Sequence, residues 1–266
     1  TRSEFSLAAG MRPKKIGDFD TTEGIRKYLA DSVRSHIVQV RMRTIGDYDA
    51  KREGAGFQRI GRGSLGGKGR GLAFLFTRML DLGLGSEFPD VEFVVPRSVV
   101  IGTDVFEEFV EDNGLGRFAH EDHEDEEVNG AFLKAGFTDE MEKKISVMLQ
   151  QTKWPLAVRS SSLLEDSSHQ PFAGVYATYM LANDHPDPVV RLKRVLEAIK
   201  LVYASTYYRR AKAYVAATPS TIEDERMAVV IQDLVGDEVN GRFYPTISGA
   251  ARSRNHYPVE PLVAED

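Results

Sequence analysis

The sequence contains no cysteine, and this absence excludes several kinds of chemistry at once. Without thiols there is no disulfide framework, no thiolate zinc site and no cysteine nucleophile. Long apolar runs are also missing, and short ones such as those near residues 93–101 fall far short of the roughly 20 residues that a membrane-spanning helix needs. The chain does not open with a basic stretch, an apolar run and a small-residue cleavage site. We therefore expect a cytoplasmic protein without a membrane partner.

The composition that is present is ordinary for a folded, water-soluble protein. Hydrophobic residues make up 42% and charged residues 28% of the 266 positions, which is enough for a sizeable core. Apolar segments of strand length alternate with segments of helical periodicity, so we expect an α/β or α+β fold. The chain starts at Thr1 rather than Met and ends at Asp266 without an obvious closing element. We expect it to be part of a longer protein.

Charge is unevenly distributed along the chain. Residues 1–78 carry twice as many basic as acidic side chains, whereas residues 79–150 are strongly acidic. The basic side chains are scattered among carboxylates and lack a regular array of stacking aromatic residues, so we expect no nucleic-acid partner. The acidic excess peaks at residues 121–127, where six carboxylates surround His123. Because these carboxylates have no fixed ligand spacing, we interpret the segment as a solvated loop rather than a metal cluster.

The first segment that indicates a chemistry is glycine-rich, covers Gly61–Gly71 and leads into an apolar pattern of helical spacing. Glycines let the backbone approach a ligand closely, and Lys68 adds a compact positive charge, a combination typical of phosphate binding. A Walker A loop is excluded because this sequence has Arg62 and Gly69 where that motif needs Gly and Ser or Thr. Three of the glycines fit the dinucleotide spacing G-x-G-x-x-G, although no clear strand precedes them. A flexible linker stays an alternative.

The second segment is a short apolar strand pattern, Trp154–Val158, that ends in Arg159 and three serines. A guanidinium fork beside several hydroxyls at the tip of a strand suits a polyphosphate. An exposed, capped turn would explain the same residues without a ligand. A serine hydrolase is disfavoured, because the G-x-S-x-G elbow is missing and no histidine has a position that marks it as a base.

Five short motifs occur in a definite order along the chain. They are Gly66-Gly67-Lys68-Gly69, Val158-Arg159-Ser160-Ser161 with Glu165-Asp166, Phe172-Ala173-Gly174 with Thr178, Val230-Ile231-Gln232, and Asn240-Gly241. In this order and spacing they resemble the ATP-grasp nucleotide-binding domain of the phosphoenolpyruvate synthase and pyruvate phosphate dikinase family, over about residues 60–250. Ser161 and the Glu165-Asp166 pair are more similar to the synthase branch than to the dikinase branch.

The resemblance implies roles for five residues. Lys68 and Arg159 match the family's basic residues that hold the ATP phosphates, so we expect both to act in catalysis and in nucleotide binding. Gly174 and Thr178 match the loop that folds over the nucleotide, and Gln232 matches the strand-end residue beside the adenine and its sugar. The role of the neighbouring acidic pair stays open between structure and loop positioning. Phosphoryl transfer needs positioning and charge neutralisation more than covalent help, which agrees with these residue types.

The resemblance also implies a domain organisation and two ligands. Residues 1–58 would form a helical extension or linker, residues 59–222 the first lobe of an ATP-grasp domain, and residues 223–266 the start of a truncated second lobe. The implied ligands are ATP and Mg²⁺. The family's magnesium-binding carboxylates are expected beyond residue 266, so we assign no metal ligand within this sequence.

The reaction implied for the parent protein converts pyruvate, ATP and water into phosphoenolpyruvate, AMP and phosphate through a phosphohistidine on a separate domain. Pyruvate would bind to other domains of the parent chain, and a homodimer stays an open alternative. None of the six histidines matches the carrier histidine, so we expect the isolated chain to be inactive. Two alternatives remain: a related dikinase or phosphotransferase with another acceptor, such as phosphate, an antibiotic or a glucan, and a non-catalytic nucleotide-sensing module.

We expect Arg159→Ala to weaken ATP binding about ten- to a hundredfold, because it removes charge-assisted contacts worth roughly 1.5 to 3 kcal/mol. Calorimetric titration of the wild-type and variant proteins with Mg²⁺-ATP measures this difference. An unchanged ATP affinity in the variant would contradict the role assigned to Arg159.

Overall fold

The computed structural model describes residues 21, 22, 24, 26, 56–82, 87–162, 174–217, 222 and 225–251. Most of the predicted extension over residues 1–58 lies outside these residues. The chain divides into two units, Thr1–Asp233 and Leu234–Asp266. The lobe boundaries given by the resemblance stay a prediction.

The first unit is built around a mixed sheet of five strands. In chain order these are β1 (Phe57–Ile60), β2 (Ser98–Ile101), β3 (Leu156–Ser162), β4 (Thr178–Leu181) and β5 (Met227–Asp233). The spatial order is β1-β2-β5-β3-β4, with β1 and β2 parallel and the other neighbours antiparallel. The last of these five strands, β5, therefore lies at the centre of the sheet, where its run of apolar and β-branched residues is buried on both faces.

Helices connect and cover these strands. Between residues 66 and 216 they are α1 (Gly66–Leu82), α2 (Thr103–Asp112), α3 (Arg117–His120), α4 (Asp125–Lys134), α5 (Asp139–Gln150), α6 (Pro188–Ala204), the 3-10 helix Ser205–Tyr207, and α7 (Arg209–Ala216). These elements confirm the expectation of a mixed α/β fold. Within the described ranges, no helix has both the length and the apolar character needed to cross a membrane.

The two faces of the sheet carry cores of different size. Helix α1 packs on one face, where Leu65, Ala73, Val100 and Val230 form a small cluster. The opposite face carries the larger core, to which α2, α4, α5 and α6 contribute, with Tyr203 fully buried in it. Alternate strand residues point to opposite faces, so β1, β2 and β5 supply side chains to both cores.

Local sequence signals explain where several helices begin. Helix α6 starts at Pro188, a residue suited to the first helical position, and Asp187 Oδ1 accepts a hydrogen bond from the Val189 amide at 2.8 Å. Helix α5 follows Thr138, whose hydroxyl accepts a hydrogen bond from the Met141 amide at 3.4 Å. Both caps satisfy amides that the helix itself leaves unpaired.

The acidic segment 121–127 is only partly a loop, so the interpretation of the whole segment as a solvated loop is wrong. Asp125–Glu127 form the first turn of α4, where carboxylates interact favourably with the helix dipole. The Arg209 guanidinium lies 3.2 Å from Asp122 Oδ1 and 2.7 Å from Glu124 Oε1. Repulsion between the carboxylates is offset by this arginine, which lies far away in the sequence.

His123 also offsets repulsion between the carboxylates of this segment. Its ring nitrogens lie 2.8 Å from Glu121 Oε2 and 3.0 Å from Glu127 Oε2, and its ring edge meets Phe118. Hydrogen bonding to Glu121 and Glu127 raises the pKa of His123. The histidine therefore serves the local structure of this acidic segment.

The second unit contains a hairpin of β6 (Asp237–Val239) and β7 (Arg242–Tyr244). Its turn is formed by Asn240 and Gly241, with φ values of 54° and 74°. Positive φ at both central residues is the requirement of a tight two-residue hairpin turn, and Asn-Gly is the pair that meets it most readily. The Asn240-Gly241 motif thus has a structural explanation.

Helix α1 begins at a glycine that no other residue can replace without strain. Gly66 has a φ of +63°, and a Cβ added to it would lie 1.6 Å from the Ser161 carbonyl oxygen. Gly71, later in the same helix, would meet nothing within 4 Å. The first glycine is therefore dictated by the close approach of the chain to the end of β3, whereas the second is not.

We expect Gly66→Ala to lower the free energy of unfolding by more than about 2 kcal/mol, because it combines left-handed backbone strain with a collision between the new Cβ and the Ser161 carbonyl oxygen. The matched variant Gly71→Ala should raise this free energy by about 0.5 to 1 kcal/mol, the usual gain of alanine over glycine in a helix. Denaturant unfolding of both variants measures the difference. Equal effects of the two substitutions would contradict the contact between Gly66 and β3.

Candidate functional site

Three of the five predicted site residues lie on one face of the sheet. The prediction that Arg159 lies at the tip of a strand is wrong, because the three serines after it are buried and continue β3 as far as Ser162. In mid-strand, Arg159 is directly opposite Thr178 in β4. Gln232 in β5 is opposite Ala157, two residues before Arg159, so its side chain lies on the same face as the arginine. Val230 belongs to the small core under α1, which identifies this as the α1 face. The sheet register thus brings Arg159, Thr178 and Gln232 together.

Part of the α1 face is open. Helix α1 contacts β3 and β5, whereas the residues of β4 on this face, Thr178 and Met180, are exposed, the latter by 63%. The other two residues of the strand, Tyr179 and Leu181, pack against the large core on the opposite face. A ligand therefore has access to the strip beside Arg159.

Lys68 lies in the first turn of α1, so the prediction of a glycine loop that extends through Gly71 before the helix is wrong. The helix already begins at Gly66. The Lys68 side chain is partly buried, and its Nζ donates a hydrogen bond to Ser160 Oγ at 3.4 Å, at the tip of β3. The ammonium group and the amides of a first helical turn both favour a bound anion.

A chain of hydrogen bonds joins three neighbouring strands on the α1 face. Arg159 Nη1 donates to Gln232 Oε1 at 3.4 Å, Gln232 Nε2 donates to Ser98 Oγ at 3.0 Å, and Ser98 Oγ donates to the Pro96 carbonyl at 2.8 Å. The fully buried Ser98 hydroxyl thereby orients the Gln232 amide. Its carbonyl oxygen faces the arginine.

Arg159 is partly buried, and within the described ranges no carboxylate forms an ion pair with it. Burial of a guanidinium is costly unless its donors find an acceptor, and charged acceptors give the strongest hydrogen bonds. A bound phosphate group would supply such acceptors from the open side of the sheet. The arginine is therefore suited to an external anion.

The end of β5 is held by an ion pair next to Gln232. Arg97 Nε donates to Asp233 Oδ2 at 3.1 Å, and the Asp233 amide donates to the Arg97 carbonyl at 2.9 Å. Burial raises the pKa of Asp233, and the Arg97 guanidinium opposes that rise. The hydrogen bond to Ser98 holds the Gln232 side chain, and the Arg97–Asp233 pair holds the strand end next to it.

The segment before α1 is fastened to the start of α2, so a flexible linker does not describe it. The Ser64 amide donates to Thr103 Oγ1 at 2.9 Å, and the Thr103 amide donates to the Ser64 carbonyl at 3.0 Å. A Cβ at Gly63 would lie 2.4 Å from the Asp104 amide nitrogen, which explains a glycine there. These contacts fix the approach of the chain to Lys68.

The remaining motif residues are Gly174 and the Glu165-Asp166 pair. Gly174 is exposed with a φ of +74°, and a Cβ added to it would meet nothing within 4 Å. The Glu165-Asp166 pair lies outside the described residues. Sequence reasoning missed Ser98, which carries no motif signal, and assigned no role to Ser161 although it lies within a motif.

We expect Gln232→Glu to stabilise the unliganded fold and to weaken anion binding, because the new carboxylate would pair with Arg159. The expected loss of affinity for tripolyphosphate is about tenfold, the typical size of one charge-assisted interaction. Lys193→Gln serves as the control, since it changes the net charge equally on an exposed position of α6, which packs against the other face. Thermal unfolding and calorimetry measure both effects. Equal tripolyphosphate affinity in the two variants would contradict this role of the Arg159 guanidinium.

Most of the chain is similar to a known protein family. The family described as pyruvate phosphate dikinase, AMP/ATP-binding domain, matches residues 62–263. A protein of Bacillus subtilis (strain 168) described as "Uncharacterized phosphotransferase YvkC" is 29% identical over 153 residues. That match covers 56% of this chain and 17% of the Bacillus protein, so the chain spans only a small part of its relative. The family predicted from the motifs is confirmed: the chain belongs to the pyruvate phosphate dikinase AMP/ATP-binding domain family.

Proposed function

We propose that this chain is the ATP-binding part of a phosphoenolpyruvate synthase-like phosphotransferase, folded as the first lobe and the start of the second lobe of an ATP-grasp domain. The parent protein would convert pyruvate, ATP and water into phosphoenolpyruvate, AMP and phosphate. The observation that carries this proposal is that Lys68 contacts Ser160 of β3 and that Arg159, the preceding residue in the middle of the same strand, lies beside an open strip of the sheet. The choice of ATP as the ligand comes from the family, whose description is an AMP/ATP-binding domain.

The two cations suit different parts of a triphosphate. Arg159 offers a planar fork that binds two phosphate oxygens at once, whereas Lys68 offers a compact charge at the start of a helix. Together they would neutralise charge on the phosphoryl groups and hold them in line for transfer, which is most of what phosphoryl transfer asks of a protein. Transfer would then proceed through a histidine on another domain of the parent.

The remaining residues would bind the other parts of the nucleotide. Gln232, held by Ser98, presents an amide at the end of β5 that suits the edge of adenine or its sugar. Thr178 is exposed directly opposite Arg159, and Gly174 precedes it at a position that favours glycine. We assign these two to the segment that closes over the nucleotide.

Mg²⁺ would enter as part of the Mg²⁺-ATP substrate. Magnesium prefers carboxylate and phosphate oxygens in octahedral geometry. Among the residues that the structure describes, no group of three or more acidic or histidine side chains is arranged to hold a metal ion. The described residues around Lys68 therefore offer no ligand set for a resident ion, and the proposal places the carboxylate ligands beyond residue 266.

A different acceptor is the second candidate. The Bacillus relative is described as a phosphotransferase without a stated acceptor, and nothing in a nucleotide-binding domain selects pyruvate over phosphate, an antibiotic or a glucan. The ATP site proposed here is common to these possibilities. The acceptor is decided by other domains of the parent.

We expect Lys68→Ala to weaken Mg²⁺-ATP binding by the intact protein about tenfold, the typical size of one charge-assisted contact, with little change in thermal stability without nucleotide. Lys143→Ala, an exposed lysine on α5, is the matched control and should bind like the wild type. Calorimetry gives the affinities. Failure of the wild type to bind Mg²⁺-ATP, or equal affinity of the two variants, would contradict the proposal.

A further inference from the structure

Ser161 joins the tip of β3 to the start of α1 through its side chain. It is fully buried, and it lies two residues after Arg159 on the same face of the sheet. Its Oγ donates to the Leu65 carbonyl at 2.7 Å and accepts from the Gly69 amide at 2.9 Å. The hydroxyl thus connects two segments that are 92 residues apart in the sequence.

The two backbone groups bridged by this hydroxyl have a special place in the helix. The Leu65 carbonyl and the Gly69 amide are four residues apart, the spacing of the hydrogen bonds that open an α-helical ladder. Lys68 lies between them, in the same turn. The Ser161 side chain therefore contacts the turn that carries the lysine.

The main chain of Ser161 makes a second contact with the same turn. A Cβ at Gly66 would lie 1.6 Å from the Ser161 carbonyl oxygen, so the two backbones touch. Side chain and main chain of one residue together fix how far the first turn of α1 lies from β3. Lys68 and Arg159 are carried by these two elements.

We propose that Ser161 is a positioning residue that sets the separation of Lys68 and Arg159 and thereby matches the site to a chain of phosphates rather than to a single phosphate. The inference rests on the proposed function, because it assumes that both cations bind the nucleotide phosphates. A ligand that must contact both cations is sensitive to their separation, whereas a monophosphate that contacts one of them is not. The selectivity between ATP and AMP is the property that Ser161 controls.

The test is a double-substitution cycle in the intact protein. Calorimetry gives the affinities for Mg²⁺-ATP and for AMP in the wild type, Ser161→Ala, Lys68→Ala and the double variant. Ser161→Ala should weaken Mg²⁺-ATP about tenfold and AMP less than about twofold, and adding it to Lys68→Ala should change ATP affinity by less than about twofold, since the two act through one contact. Ser162→Ala, a buried serine that lies next in β3 and faces the other side, should leave ATP affinity unchanged.

Independent, multiplicative losses in the double variant, or equal losses for ATP and AMP, would overturn the inference and leave Ser161 as a residue of stability alone. Failure of the wild type to bind Mg²⁺-ATP would contradict the proposed function and overturn the inference with it. Should Ser161→Ala not fold, Ser161→Cys keeps a side chain of similar shape with a weaker donor. It should then show an intermediate loss for ATP and none for AMP, and equal losses for the two nucleotides would again contradict the inference.

Discussion

The close approach of α1 to the end of β3 is the contact on which the arrangement of the site depends. It exists because Gly66 has no side chain and adopts a positive φ, so the helix can begin against the Ser161 carbonyl. The Ser161 hydroxyl, which donates to the Leu65 carbonyl and accepts from the Gly69 amide, holds the turn of Lys68 against the strand of Arg159. Two cations from distant parts of the sequence thereby reach neighbouring positions of β3, since Lys68 contacts Ser160, the residue after Arg159.

The second constraint is the alternation of side chains along the strands. It directs Arg159, Thr178 and Gln232 to one face and the apolar residues between them to the large core. Because α1 does not cover the β4 part of that face, polar groups can be exposed there while the large core on the opposite face stays buried. The buried face of the sheet stabilises the fold, and the open strip beside β4 leaves room for a ligand. The Arg159 guanidinium is partly buried next to this strip and has no carboxylate partner among the described residues, so it is placed to bind an anion there.

Local patterns predicted much of this arrangement, and contacts between distant segments account for the rest. The apolar, β-branched parts of the strands that carry Arg159 and Gln232 are visible as short runs in the sequence. The helix start at Gly66 was missed because glycine disfavours helices in isolation, and the tertiary contact with β3 overrides that preference. Likewise, the pairing of residues 121–127 with Arg209 cannot be read from local spacing. The central position of β5 follows from strand pairing between distant segments, which sequence periodicity does not encode.

The measurement that tests the central claim most directly is a crystal structure of the intact protein with Mg²⁺ and a non-hydrolysable ATP analogue. The account predicts phosphate oxygens at hydrogen-bond distance, about 3 Å, from both Lys68 Nζ and the Arg159 guanidinium, with the base near Gln232. A nucleotide bound elsewhere, with Lys68 still on Ser160 and Arg159 still on Gln232 alone, would contradict it.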